Sequence, residues 1–451
     1  MANATPAEAE ATDLQRTFFA YLHALACFYH YIWPLTMGSP VDVHTGTAFL
    51  SLAMVFAVLW RPHDLRALVG LCVAQILDVA FYMPVVPNHW LLTAVADATL
   101  LLSFAVTRGA PDTLSRLREP MAWGIAIFYL YTGIWKLTDQ WFDPAVSCGA
   151  LAWNRQAEQF GLPHDGVGVM VAIYATLIIE LLGPVGLLWR KTRGVVTALF
   201  VAFHLVLGLD IIQNFLNFSS VMMALLVLQL DASAFRRVAH LVPAMRTLGK
   251  VWIGLMTVLV ALAAFPDQHV VFHPIRWLAW VGHALTTLGL YVLLAGGSFP
   301  TRSALPASWA FLVVVVLNGA APWLGLKTRN SWQMYSNLRM EADHSNHLFL
   351  PPSLDLLGYL AEEPVTVHEV SVPDLQKQWG IEGAQITWFM FHNLLADHPD
   401  ASVHFTRGGV DRRVARVGDD AEIMDARSPW LMRKLVWFRP LGPPVADKCQ
   451  W

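Results

Sequence analysis

Six ionisable side chains lie within otherwise apolar stretches of the sequence and are the first candidates for chemistry: Asp78, Asp97, Lys136, Glu180, His204 and Asp210. An ionisable group at membrane depth is costly, so such residues are usually either functional or bonded to a neighbouring helix. For the carboxylates, the structural alternative is a hydrogen bond across the bundle. For His204 it is a satisfied core histidine. The pattern predicts a polar site, or polar bonds between helices, inside a membrane protein.

Lys136 and His89 are the two side chains best suited to acid–base chemistry. Lys136 lies in YTGIWKLTDQWF between Trp135 and Trp141, where the simplest alternative is a lysine that extends to the membrane interface beside aromatic anchors. His89, in VVPNHWLL, begins another apolar stretch at the same predicted membrane level, where it could instead cap a helix start. Burial disfavours the ammonium form of a lysine, and a neutral amine is a usable base. An imidazole nearby could hold that amine or a substrate oxygen. The pair therefore predicts a candidate site without naming a reaction.

The elements that must position these residues are apolar helices. Hydrophobic residues make up 56% of the 451 and charged residues only 14%, which is too apolar for a soluble fold of this size. A membrane span needs about 20 mostly apolar residues. By that rule the sequence predicts about eleven spans, near residues 17–37, 45–60, 67–86, 89–107, 121–138, 167–189, 194–210, 212–230, 250–265, 277–296 and 306–325. The predicted fold is mainly α, a polytopic transmembrane helical bundle.

The short loops predict an orientation. Every second loop carries basic residues: Arg16; Arg61 and Arg66; Arg108, Arg116 and Arg118; Arg190, Lys191 and Arg193; Arg236, Arg237, Arg246 and Lys250; and Arg302. The opposite loops and helix ends hold Lys136, Arg155 and Arg276. Because basic loops stay in the cytoplasm, the N-terminus is predicted to be cytoplasmic. With an odd number of spans, the C-terminal domain and the Lys136 end of the bundle are then extracytoplasmic.

A change in composition at Lys327 predicts a domain boundary, because Lys and Arg are about twice as dense beyond it. The predicted parts are a cytoplasmic tail (1–16), the transmembrane bundle (17–326) and an extracytoplasmic domain (327–451). In that last domain, TVHEVSV alternates like a strand and ASVHFTRGGVDRRVARV reads as two strands about a Gly-Gly turn. ITWFMFHNLLADHP is typical of an amphipathic helix that ends before proline. A small α+β domain is predicted.

The four cysteines show no metal-type spacing, so neither a metal site nor a CxxC redox motif is predicted. Cys148 and Cys449 fall on the same predicted external side, where an oxidising compartment could join them, and we expect a disulfide. Two free or separately buried thiols are the alternative. The net charge of -3, with no basic run interleaved with aromatic residues, argues against nucleic-acid binding.

Three ordered stretches resemble the HTTM family, whose best-known members are the vitamin K-dependent γ-glutamyl carboxylases. Asn88 and His89 in NHWLLTAVADATLLL match an Asn-His pair that opens a helix. The stretch GIWKL (133–137) matches a Gly-hydrophobic-Lys-Lys-Leu segment, with Trp135 in place of its first lysine. The stretch AFHLVLGLDIIQNFLNFSSVMM matches a Phe-His helix followed by a Phe-Ser-rich one, and NSWQMYSNLR resembles a Ser-Trp-x-Met segment beyond the last spans. The resemblance covers roughly residues 17–345.

The resemblance implies a function in which Lys136, as free amine, deprotonates a reduced naphthoquinone such as reduced vitamin K or menaquinol. Reaction with O2 then gives a strongly basic alkoxide on the way to an epoxide, and this alkoxide removes a γ-proton from glutamate so that CO2 can add. His89 would stabilise the quinone oxygen. The implied partners are the lipid bilayer, a lipid-soluble quinone and a glutamate-containing peptide or protein. The substrate pocket is expected among the polar and aromatic residues Asn88, Tyr131, Trp135, Asp97, Glu180, His204 and Asn217.

Two departures from the family leave alternatives open. The replacement of a lysine by Trp135 removes a positive charge beside Lys136, and no family motif is apparent beyond Leu350. Quinone chemistry on a different acceptor is therefore one alternative. A non-catalytic transporter or assembly factor, with its carboxylates lining a polar path, is the other; inverted repeats would favour transport, and none is apparent in the sequence.

Overall fold

The computed structural model describes residues 6–36, 46–110, 112–164, 166–210, 215–263, 269–295, 303–340, 344–379, 385–441 and 449. The chain is mainly helical, with a small antiparallel sheet in its C-terminal region. It divides into two compact units. The first unit comprises Met1–Tyr82, His89–Tyr129 and Leu182–Val315, and the second comprises Met83–Asn88, Leu130–Leu181 and Val316–Trp451.

The α-helices are, in chain order, α1 Pro6–Thr36, α2 Gly46–Trp60, α3 Leu65–Tyr82, α4 Asn88–Thr107, α5 Thr113–Ile134, α6 Asp139–Phe142, α7 Cys148–Phe160, α8 Val167–Leu188, α9 Arg193–Leu207, α10 Phe215–Leu225, α11 Val242–Ala263, α12 His269–Leu294, α13 Ala310–Ala320, α14 Pro373–Trp379, α15 Trp388–Leu395, α16 Ala421–Asp425 and α17 Trp430–Leu435. Short 3-10 helices cover Leu226–Gln229, Ala232–Leu241, Pro306–Trp309 and Val417–Asp419.

Within the described ranges, four helical segments are long and apolar enough to cross a membrane: Leu65–Tyr82, Asn88–Thr107, Val167–Leu188 and Trp277–Leu294. Each coincides with a span that the sequence predicts. Four shorter apolar helices are Thr47–Trp60, Arg193–Leu207, Phe215–Gln229 and Pro306–Ala320. At about 1.5 Å per residue, a helix of 15 residues is shorter than the ~30 Å hydrocarbon core. The predicted count of eleven spans is therefore not confirmed, whereas the membrane class is supported.

The first helix begins earlier than the first predicted span, which starts at residue 17. Its opening residues, PAEAEATDLQR, combine strong helix formers with proline at the first helical position, which favours a helix. Gln15 is buried, and its side-chain amide donates to the carbonyls of Val227 and Leu230 at 3.0 Å each. Part of the predicted cytoplasmic tail thus packs within the first unit. The boundaries at 16/17 and 326/327 relative to a membrane remain predictions.

In the first unit, α1 is the central element. It packs against α2, α3, α10 and α11, and α9 packs against α10 and α12. The residues of α10 are buried along its whole length, from Phe215 to Leu225. Polar side chains on these helices are consequently held inside an apolar surround.

The second unit contains the four-stranded sheet, in the order β2-β1-β3-β4, with β1 Val365–Val370, β2 Gln385–Ile386, β3 Val403–Arg407 and β4 Val410–Val414. All neighbours are antiparallel. Gly408 and Gly409 connect β3 to β4 with φ of +55° and +76°, the left-handed pair that a tight hairpin turn requires. The predicted strands, the Gly-Gly turn and the helix before Pro399 are confirmed.

Candidate active site

Lys136 lies in the turn that follows α5, and its side chain is buried rather than extended to solvent. The residue is 3% exposed. Its Nζ donates to the Glu180 carboxylate at 2.7 Å and to the Thr132 carbonyl at 3.2 Å. The same atom lies 5.5 Å from the centroid of the Trp141 ring, within the range of a cation–π contact. Lys136 is therefore an ammonium or amine enclosed by a carboxylate, a carbonyl and an aromatic face.

Glycine at position 133 allows α8 to approach the end of α5. A Cβ atom at Gly133 would lie 2.8 Å from Leu181 Cδ2, so that Leu181 would have to shift, and 3.2 Å from the Glu180 carbonyl carbon, tighter than most Cβ contacts. The absence of a side chain there brings Glu180 within reach of Lys136. The Lys136–Glu180 bond joins residues 44 positions apart, and sequence reasoning did not pair them.

Trp135, which directly precedes Lys136, packs against Tyr131 of α5. The Trp135 indole donates to the Gly319 carbonyl at 3.0 Å, and the Tyr131 ring is stacked on Trp135 with centroids 6.0 Å apart. His347 donates from Nε2 to the Ile134 carbonyl at 3.0 Å. Burial lowers the pKa of His347 and so favours its neutral imidazole, in which one ring nitrogen donates a hydrogen bond and the other accepts one. These contacts fix the backbone that carries Lys136.

Two sequence segments of the family resemblance meet in the second unit. The Asn88 side-chain oxygen accepts a hydrogen bond from the backbone N–H of Trp332 at 3.0 Å, across 244 positions of the sequence. Trp332 is fully buried, with φ of +61°. Nearby Asn330, Tyr335 and Asn337 also have positive φ, at 57°, 50° and 36°. Backbone strain of this kind persists only where the surroundings enforce it, and it concentrates at functional sites. Asn88 thus anchors a strained segment.

The second unit also contains the Cys148–Cys449 disulfide that the sequence predicts, with Cα atoms 5.0 Å apart. The Cys148 backbone N–H donates to the Asn337 side chain at 2.9 Å, at the end of the strained segment. Both cysteines pack in one apolar cluster with Trp141, the residue whose ring faces Lys136. The disulfide therefore supports the wall of the Lys136 site.

His89 lies in the first turn of α4, in the first unit, and belongs to a polar and aromatic group. Its ring centroid is 5.6 Å from that of Phe218, and the Asn217 side chain lies beside it. Asn217 Nδ2 is 2.9 Å from His30 Nδ1, and the His30 ring is stacked on Trp90 at 3.8 Å. Among the described residues, His89 Nε2 and Asn217 Oδ1 are buried without a hydrogen-bond partner. Sequence reasoning missed His30, which lies in an aromatic run without a distinguishing motif.

The other predicted pocket residues of the first unit have separate partners. His204 is fully buried, with Nε2 2.5 Å from the Tyr129 hydroxyl and Nδ1 3.2 Å from the Ser219 hydroxyl. This is the satisfied core histidine of the alternative interpretation. Asp97 is 3.1 Å from His23 Nε2. Neither contact involves His89.

The structure thus sorts the predicted site residues into two groups. Lys136, Glu180, Asn88, Trp135 and Tyr131 belong to the second unit. His89, Asn217, His204 and Asp97 belong to the first. Within the second unit, an open cavity of about 790 Å³ is lined by α7, α8 and the loops before and after α7, through Pro144, Asn154, His164, Val167, Met170 and Tyr174. No predicted site residue lines it. One site containing both Lys136 and His89 stays a prediction.

In the part of the chain that the structure describes, four helices long and apolar enough to cross a membrane, by length and composition, indicate a membrane protein. The HTTM domain family matches residues 120–233, about a quarter of the chain, which confirms the predicted resemblance over that range. HTTM domains are associated with vitamin K-dependent carboxylase-like proteins. Lys136, Glu180, His204 and Asn217 lie inside the matched range, whereas Asn88, His89 and Asp97 lie outside it. No curated protein and no solved structure matches the chain.

Proposed function

We propose that this chain is a membrane enzyme of the vitamin K-dependent carboxylase-like type. It would couple oxidation of a reduced naphthoquinone by O2 to carboxylation of glutamate, or of another acceptor, with CO2. The observation that carries the proposal is the buried Lys136 Nζ 2.7 Å from the Glu180 carboxyl group, inside the residues that match the HTTM domain. A buried lysine in contact with a carboxylate can pass one proton to it directly, without a water molecule between them.

Glu180 gives Lys136 a way to become a base. Transfer of the Lys136 proton to Glu180 turns an ion pair into a neutral amine and a neutral carboxyl, so the net charge in the apolar surround does not change. The free amine Nζ can then remove a proton from a bound hydroxyl group. Trp141 and the disulfide cluster help exclude water, which would otherwise compete as proton donor.

The residues around His89 suit a reduced naphthoquinone, namely reduced vitamin K or menaquinol. Such a molecule supplies an oxidisable hydroxyl group on a flat aromatic system. His89 Nε2 and Asn217 Oδ1 could hydrogen-bond that hydroxyl, because they have no partner in the described part of the chain. The Phe218 ring beside His89 offers an apolar face. On this proposal His89 and Asn217 bind and orient the quinone.

We also propose that the Lys136 end and the C-terminal domain are extracytoplasmic, with the N-terminus in the cytoplasm. The distribution of basic residues in alternate loops supports this orientation. The Cys148–Cys449 disulfide supports it independently, because disulfides persist in oxidising compartments. A glutamate-containing peptide or protein would then reach the site from outside, and the quinone would reach it from the bilayer.

An activity assay tests the proposal directly. Purified protein is incubated with reduced vitamin K or menaquinol, O2, labelled bicarbonate and a glutamate peptide, and the quinone epoxide and fixed label are measured. We expect epoxide from the natural chain and a loss of about 100-fold or more in Lys136→Met, because a positioned base contributes about 10²–10⁴. Lys327→Met removes another buried lysine, outside the site, and is the matched control.

The outcomes separate the alternatives. Epoxide with label in the peptide supports the full reaction, and epoxide without label supports quinone chemistry on another acceptor. No epoxide from the natural chain would remove the enzyme proposal. The transporter alternative has weaker support, because Asp78, Asp97 and Glu180 each hydrogen-bond another side chain.

A further inference from the structure

Three side chains with metal-binding atoms converge inside the first unit, away from the residues proposed for catalysis. His23 is on α1, Cys72 on α3 and Asp97 on α4. One ligand atom from each lies within 4.8 Å of the other two, and all three residues have 0% exposure. Spacing along the sequence does not indicate this cluster, because each ligand comes from a different helix.

The distances suit a small tetrahedral ion. His23 Nε2 is 3.1 Å from Asp97 Oδ2, and the Cys72 thiol is within hydrogen-bonding reach of the same carboxylate. With metal–ligand distances of about 2.0–2.3 Å, neighbouring ligand atoms of a tetrahedral zinc ion are about 3.3–3.8 Å apart. The Phe19 ring is stacked on the His23 ring at 5.3 Å and 9°, which restricts the orientation of the imidazole. Small side-chain shifts would complete the coordination.

Protein contacts alone leave the cluster incompletely bonded. Asp97 Oδ1 and His23 Nδ1 are buried and have no hydrogen-bond partner anywhere in the described ranges. A buried polar atom without a partner is destabilising, and a buried carboxylate is more so unless it is paired or coordinates a metal. Asp97 Oδ1 is therefore a buried acceptor that no described residue uses, whereas His23 Nδ1 points away from the cluster.

Charge balance favours a divalent ion. A thiolate at Cys72 and a carboxylate at Asp97 carry two negative charges, and a neutral His23 carries none. A divalent cation balances the charge of these three ligands, which reduces the cost of holding charge inside an apolar bundle, whereas a further thiolate ligand would leave a net negative charge. A mixed nitrogen, sulfur and oxygen ligand set is typical of zinc.

We propose that His23, Cys72 and Asp97 form a buried structural zinc site that ties α1, α3 and α4 together. The assignment moves Asp97 from the predicted substrate pocket to a metal site. It does not depend on the proposed carboxylase function.

Cys27 is the proposed fourth ligand. It follows His23 by one helical turn on α1, so both side chains lie on the same helix face. The Cys27 thiol is fully buried, and its sulfur lies outside the set of ligand atoms that are within 4.8 Å of one another, so it would have to move toward them to bind the ion. Cys27 and Cys72 are both free thiols, whereas Cys148 and Cys449 are joined. A complete protein ligand set is the pattern of structural zinc sites.

Metal analysis of the full-length chain tests the site. Protein purified in detergent is washed with a chelator, reconstituted with zinc and analysed by elemental mass spectrometry, with folding checked by gel filtration. We expect about one zinc ion per natural chain, and a loss of about tenfold in Cys72→Ser and His23→Gln. The control is the double variant His368→Ala/His404→Ala, which disrupts the exposed cluster with Asp411 and should leave the buried zinc in place.

Cobalt gives a second readout that does not need a variant to fold. Co²⁺ bound at this site should show sulfur-to-cobalt charge-transfer absorption in the natural chain. Absence of that band, less than about 0.1 zinc per natural chain, or full zinc retention in folded Cys72→Ser would each overturn the proposal. Unchanged zinc affinity in Cys27→Ser would overturn the assignment of Cys27 alone.

Discussion

Two contacts between a basic side chain and a carboxyl group in the second unit have almost the same length and different exposure. Lys136 Nζ and the Glu180 carboxylate are 2.7 Å apart, and their side chains are 4% and 10% exposed. His404 Nε2 and the Asp411 carboxylate are 2.8 Å apart on the sheet, with side chains 22% and 61% exposed. Distance alone does not distinguish them. Burial decides what each pair can do.

Water replaces a lost partner at the sheet but not beside Lys136. Exposed ion pairs are screened, and losing one partner leaves a charge that solvent accepts. Losing one partner of a buried pair leaves a charge in an apolar surround. The same difference makes the Lys136 region suitable for proton transfer and the sheet pair unsuitable for it, because a proton on the sheet exchanges freely with water.

The largest effect on stability is expected for Lys136→Met. The Glu180 carboxylate would remain buried without its partner, and such losses cost about 3–5 kcal/mol. We expect a large drop in the thermal midpoint of the detergent-solubilised protein, measured by gel filtration after heating. Lys136→Met/Glu180→Leu should recover most of it, because both charges are then removed. A midpoint for Lys136→Met equal to that of the natural chain would end the distinction between the two pairs.

The second effect concerns the disulfide behind the Lys136 site. The Cys148–Cys449 bond joins residues 301 positions apart, and removing a disulfide typically costs about 2–4 kcal/mol. We expect Cys148→Ser, or reductant added to the natural chain, to lower the thermal midpoint. Reductant should have no further effect on Cys148→Ser/Cys449→Ser. A natural chain insensitive to reductant under unfolding conditions would contradict the expectation.

Local patterns were readable from the sequence, whereas partners across the fold were not. Apolar runs located four helices that can span a membrane, and Gly408-Gly409 located the hairpin, because helix length and turn geometry depend on neighbouring residues. The HTTM motifs indicated Lys136 and His89 as candidate site residues, and these remain predictions. The partner Glu180 is 44 positions from Lys136 and lies on another helix. Its pairing with Lys136 depends on close helix packing at Gly133, and the spacing of residues along the sequence does not predict that packing.

The same limit applies to the polar groups of the first unit. His30 meets Asn217 across 187 positions, and His23 meets Asp97 across 74. Within their own helices these histidines resemble ordinary members of aromatic runs. Cysteine spacing does not predict Cys72 as a metal ligand, because a ligand set can be assembled from single residues on separate helices.

A third, smaller effect is expected from the glycine that allows Lys136 and Glu180 to meet. A methyl group at Gly133 would press on Leu181 and on the Glu180 backbone, and overpacking of this kind costs about 1–3 kcal/mol. We expect Gly133→Ala to lower the thermal midpoint and to reduce epoxide formation. Gly282→Ala is the matched control, since a Cβ there meets no atom within 4 Å. Equal midpoints for the two variants would show that α8 can move without cost.

The smallest effect compares a buried and a partly exposed histidine in the C-terminal region. Burial lowers the pKa of His392 to about 4, below the ~6.5 of an unfolded histidine. Between these values the unfolded chain binds the proton more tightly, so stability should fall as pH decreases from about 6.5 to 4. At the sheet, His404 lowers the pKa of Asp411, and that contribution is lost only as pH falls further, through the lowered pKa of the carboxyl.

Thermal midpoints measured from pH 7 to pH 4 separate these contributions. We expect His392→Leu to flatten the pH dependence, because the residue that gains a proton on unfolding is gone. His404→Asn should keep the natural slope over that range and the natural midpoint at pH 7, since solvent replaces its contact with Asp411. A flattened slope in His404→Asn, with the natural slope in His392→Leu, would assign the pH response to the exposed pair rather than to the buried histidine.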